Sequence, residues 1–89
     1  MRAYHRYREG IAKPGALIVK LYHSGGEIRG YIRRVANESE EDAIFPGEEM
    51  EPLTAFRMAQ NKIRGPQDGP IYVELAEDLA WNPQWGQLS

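Results

Sequence analysis

Two adjacent glycines, Gly25 and Gly26, constrain this chain more than any other feature. Ser24-Gly25-Gly26 separates two segments rich in Val, Ile, Leu and Tyr, Ala16 to His23 and Glu27 to Ala36. Glycine accepts the positive φ that a tight hairpin turn demands, so the two segments read as an antiparallel pair. With Gly25 and Gly26 as the central turn residues, Leu21 meets Gly30, Val19 meets Ile32 and His23 meets Ile28 on one mostly apolar face. Strand alternation then puts Tyr22 with Arg29, Lys20 with Tyr31, and Ile18 with Arg33 on the other. A slip of one residue in either strand would mix the two sets, which favours this register.

Downstream, proline suits a first helical position, and Leu53, Phe56, Ala59 and Ile63 fall on one stripe, so Pro52 to Arg64 reads as a helix. Gly65-Pro66 stops it, Gln67 to Pro70 is a turn, and Ile71 to Leu75 alternates apolar residues with Tyr72 and Glu74 as a third strand. Asn37 to Glu51 carries seven acids and no base and reads as a solvated connection. Within it, Ser39 to Ile44 has the spacing of a capped helical turn.

The expected fold class is therefore α+β: a small antiparallel or mixed three-stranded sheet in β-β-α-β order, with one helix packed on one face. A right-handed crossover through the helix lays the third strand beside the first, in the order 2-1-3. The expected organisation is a basic aromatic N-terminal arm over 1–15, the β-β-α-β domain over 16–76, and a Trp-containing C-terminal segment over 77–89. At 89 residues, 42% hydrophobic and 27% charged, the chain has material for one core only.

No cysteine is present, which removes disulfides, thiolate catalysis and cysteine metal sites. No apolar run exceeds Ala16 to Val19, far short of the roughly 20 residues that span a bilayer. Lys13 and Pro14 interrupt any signal-peptide core after Met1 to Gly10. A soluble protein in the cytoplasm, with no membrane partner, is the expectation.

Charge is divided along the chain. Residues 1 to 36 hold eight cations against two acids, and residues 37 to 89 hold three against eleven. Such a division steers a partner, or is satisfied within the fold or between two copies.

Three residue sets bear on function. The first is the outer hairpin face, with Lys20, Tyr22, Arg29, Tyr31 and Arg33. Tyr and Arg are enriched at interface hot spots, and a basic face with an acidic loop on one chain is self-complementary under two-fold symmetry. The expected partner is a second copy, giving a homodimer, or another protein. The second set extends this face with the arm residues Arg2, Tyr4, Arg6, Tyr7 and Arg8. Rings on a sheet stack unpaired bases while cations hold phosphates, so single-stranded nucleic acid is the alternative, with Arg2, Arg6, Arg8 and Lys20 as phosphate contacts. Against it stand the acidic net charge and the lack of an RNP-type sequence. The third set is Trp81 and Trp85, which either cap the core or mark a docking site.

Catalysis finds little support. His23 and Ser24 adjoin in a strand and point to opposite faces, and His5 lies in the arm. Glu38, Glu40, Glu41 and Asp42 lack calcium-loop spacing, and Gly10 to Gly15 lacks the Lys-Ser/Thr pair of a phosphate loop. No cofactor and no metal are expected.

Overall fold

The computed structural model describes residues 3–36, 43–63 and 70–89, and leaves the side chains of residues 43–48 undescribed. The strands are β1 (Ala3–Arg6), β2 (Leu17–Ser24), β3 (Glu27–Arg34), β4 (Ala43–Met50), β5 (Ile71–Leu75) and β6 (Gln87–Leu88), with helix α1 (Pro52–Lys62) between β4 and β5. They form one sheet of six strands in the order β4-β3-β2-β5-β1-β6.

At the centre of the sheet is the hairpin. β2 and β3 pair antiparallel with Val19 opposite Ile32, Leu21 opposite Gly30 and Tyr22 opposite Arg29. Gly25 and Gly26 take φ of 60° and 85°, the left-handed conformation that a two-residue turn of this hand needs at both positions. β5 runs parallel to β2, Val19 beside Val73 and Lys20 beside Glu74. The segment β3-β2-β5 is thus the 2-1-3 arrangement expected from the sequence.

The expectation of three strands is corrected to six. Each additional strand comes from a segment whose composition hides it. β1 arises from the basic arm and pairs parallel with both β5 and β6, His5 beside Tyr72 and Tyr4 beside Leu88. Its four residues hold one buried side chain, Tyr4, so no alternation is visible. β4 arises from the acidic connection and pairs antiparallel with β3, Ile32 opposite Phe45 and Gly30 opposite Met50. Four residues, Pro46 to Glu49, therefore stand against Tyr31 alone, a bulge that breaks the period of two. Proline is tolerated there because β4 is an edge strand. Of the helical turn considered over Ser39 to Ile44, Ala43 and Ile44 belong to β4 and the rest lies outside the described residues. Arg2, Arg64, Gly65-Pro66 and Gln67 to Gly69 also lie outside them.

Pro52 opens α1, and Glu51 before it is extended at φ −67° and ψ 150°, the region a following proline enforces. The helix buries Ala55, Phe56 and Ala59 against the sheet. Leu53, expected on that stripe, is 54% exposed. At 3.6 residues per turn the inward direction falls between Ala55, Phe56 and Ala59, which leaves Leu53 roughly a third of a turn aside. The core joins these residues to Val19, Leu21, Ile32 and Val73, all fully buried, so one face of the sheet is closed by the helix.

Candidate functional site

The other face of the sheet is covered by no helix of the described chain. Odd-numbered residues of β3 and even-numbered residues of β2 and β5 point to it, as the pleat requires. Arg29, Tyr31 and Arg33 therefore stand beside Lys20, Tyr22 and Glu74, and the structure brings together all five hairpin residues singled out in the sequence.

Glu74 organises the cations. Its carboxylate lies 3.3 Å from Lys20 Nζ and 3.4 Å from Arg33. Arg33 also stacks over the ring of Tyr7, its guanidinium carbon 5.5 Å from the ring centroid. Arg33 thus reaches across β2 to β5 and to the chain leaving β1. Ile18, in register between Arg33 and Tyr72, is 0% exposed although it faces this side. Long side chains lying along the sheet cover such an apolar position with their stems.

Further along, Arg29 is paired with Glu27 on its own strand and lies 3.8 Å from Glu51 at the mouth of the helix. Tyr22 and Tyr31 occupy diagonal positions on neighbouring strands, with ring centroids 5.9 Å apart and planes tilted by 55°. Glu49 of β4 closes this end, 3.3 Å from the Ser24 hydroxyl, which donates to it. Burial raises the pKa of Tyr22 above its ordinary value, and hydrogen bonding to the Glu49 carboxylate and its charge raise it further. The result is a checkerboard of cations and carboxylates around two neighbouring phenols.

Trp81 and Trp85 stand apart from this face. Their rings meet edge to face at 5.2 Å, and both contact Phe56 of the helix. A short 3-10 helix, Pro83–Trp85, capped by the Asn82 side chain, sets Trp85 inward. The Trp81 indole N–H donates to the Gly86 carbonyl at 3.1 Å. The tryptophans therefore close the helix side of the sheet together with Tyr4.

His5 and His23 are exposed, and the His5 ring meets the Tyr72 ring edge on, centroids 6.2 Å apart. Neither imidazole meets a carboxylate among the described residues. In the same set, no three His, Asp or Glu side chains gather as metal ligands. No helix of the described chain is long and apolar enough to cross a membrane.

Sequence reasoning set Tyr7 on this face with the arm and left Glu49 and Glu51 either to fold back onto it or to pair with a second copy, but it missed Glu74. Glu74 was within reach: setting Ile71 to Leu75 in parallel register beside Ala16 to His23 puts Glu74 against Lys20. The place of Glu49 was not fixed, because a bulged strand sets it. Comparison with models of known families, with curated proteins and with solved structures gave no match.

Proposed function

We propose that the chain is a small binding and assembly module that works through the Tyr/Arg-rich face of its sheet, with a second copy of itself as the partner. The observation that carries this reading is the checkerboard around Tyr22 and Tyr31. Cations and carboxylates alternate over the face, so a two-fold axis through it sets each Arg or Lys of one copy near a Glu of the other. At its centre are two amphipathic rings of the kind that supply most of the energy at protein interfaces. Covering these charges costs desolvation, but less than covering the same charges without partners.

Single-stranded nucleic acid is the weaker reading on the same ground. Lys20, Arg29 and Arg33 each meet a carboxylate of their own chain. A phosphate would have to displace Glu74, Glu27 or Glu51 before it gained anything from them.

Sedimentation at micromolar concentration tests the proposal. A homodimer gives twice the monomer mass, and Tyr31→Glu, which buries a charge at the centre of the interface, gives the monomer with its fold retained. A strictly monomeric native chain would remove self-assembly from consideration.

A further inference from the structure

Among the described residues, the open face of the sheet is graded in charge along its strands. Near the hairpin turn stand the carboxylates of Glu27, Glu49 and Glu51 with one cation, Arg29. Toward the other end, Lys20 and Arg33 share a single carboxylate, that of Glu74. The register of β2 and β3 fixes the spacing between the two ends: Glu27 is opposite Ser24, Arg29 opposite Tyr22, Tyr31 opposite Lys20, and Arg33 opposite Ile18. The pair Leu21 and Gly30 marks the middle of this run.

We propose that two copies meet face to face about a two-fold axis crossing the strands at the Leu21 and Gly30 pair, which sets Arg33 of each copy on Glu27 of the other. The same axis exchanges the places of Arg29 and Tyr31, and of Lys20 and Tyr22, so each of these cations lies over a phenol ring of the other copy. Strands of the two sheets then run antiparallel, within about 30° of one another, as in aligned sheet packing. Moving the axis by one residue either way sets Lys20 or Arg29 on its own counterpart, like charge on like. An axis along the strands instead lays the end carrying Glu27, Glu49 and Glu51 on the same end of the other copy. Glu27 has room for a second cation: its side chain is 65% exposed while it pairs with Arg29, and a carboxylate accepts at both oxygens. This pairing rests on the sheet face being the interface between two copies, and adds which way round they lie.

The test reverses charge on one copy at a time. Arg33→Glu sets like charges together at both contacts of its own dimer, as does Glu27→Arg, and each should weaken dimerisation in sedimentation by about tenfold or more. An equimolar mixture of the two variants has opposite charges at both contacts of the mixed dimer, and should return the affinity to within about threefold of the native chain's. Since each chain keeps its own substitution, repair within a chain cannot produce that recovery. If Arg33→Glu does not fold beside Glu74, the absence of native cysteine allows a second route. Glu27→Cys and Arg33→Cys chains, mixed and treated with a short bismaleimide, should cross-link to each other. Neither alone should cross-link, because residues 27 and 33 stand about 20 Å apart along the strand. Reversals that leave the native affinity unchanged, a mixture without recovery, or cross-linking of one variant with itself would each overturn this pairing while a native dimer left self-assembly standing. A monomeric native chain removes self-assembly, and this pairing with it.

Discussion

The Tyr4 ring stacks on the Phe56 ring with centroids 4.5 Å apart and planes 28° from parallel, tying the first strand of the chain to its helix. Trp81 meets both rings edge on, at 6.1 and 5.7 Å, and Gln60 donates a hydrogen bond to the Tyr4 hydroxyl. Phe56→Ala opens a cavity at the centre of this cluster and should cost about 3 to 5 kcal/mol. For a domain of this size that is a large part of the whole stability. Urea unfolding followed by tryptophan emission reads it directly, because both indoles touch Phe56. Leu53→Ala, at the exposed position on the same helix, should change stability by less than about 0.5 kcal/mol. A Phe56→Ala cost as small as that would mean the cluster does not hold the helix.

Gly30 is needed for closeness, not for an unusual backbone. A Cβ placed there would lie 2.6 Å from Leu21 Cδ2 and 2.9 Å from the Lys20 carbonyl oxygen, with the Ala55 Cβ 3.8 Å away. Backbone cannot yield as a side-chain tip can, so Gly30→Ala should destabilise by about 1 to 3 kcal/mol, against the usual preference for alanine in a strand. Thermal unfolding decides the sign, and a more stable variant would contradict the packing described.

Glu74→Gln removes one carboxylate from two cations. Since all three side chains are a quarter to a third exposed, the cost in stability should be small, about 0.5 to 1 kcal/mol, and reduced by added salt. Its larger expected effect is on assembly: Lys20 and Arg33 lose the carboxylate they share, and the alternation of charge that matches one copy to the other is broken at that point. The dimer should weaken at low salt. Should oligonucleotide binding strengthen instead, in a salt-dependent way, the nucleic-acid reading would take its place.

Tyr22 provides a pH signature. Its folded pKa is raised, by burial first and by Glu49 second, so above the ordinary value of 10.0 the unfolded chain gives up the proton that the folded chain keeps. The stability contributed by the neutral phenol is whole below pH 10 and is lost as pH rises from there through the folded pKa. The native chain should therefore lose more stability between pH 9 and the alkaline limit than Tyr22→Phe does, measured by denaturant unfolding at matched pH values. Parallel curves for the two proteins would show that Tyr22 ionises freely.

What the sequence made legible were the elements that alternate. Val19 opposite Ile32 follows from two glycines and a period of two, and Pro52 marks the start of a helix whatever lies around it. The outer face followed from the same parity, which is why Tyr22, Arg29, Tyr31, Arg33 and Lys20 fall together. Hidden were the segments in which tertiary pairing outweighs local pattern. Tyr4 is a lone inward residue among arginines, and β6 has only two residues. Pro46-Gly47 interrupts β4 in the middle. Glu49 and Glu51 reach the face only because that irregular strand lies against β3, and no spacing rule within Asn37 to Glu51 conveys it.

Residues 3 and 4 find their strand partners at 87 and 88, and residues 5 and 6 theirs at 72 and 73. On a ribosome, then, the glycine hairpin can zip as soon as it emerges, while Ala3–Arg6 must idle until β5 and β6 have been made. That strand is translated before its partners and seated after them, and pairings this distant along a chain are the slow kind to form.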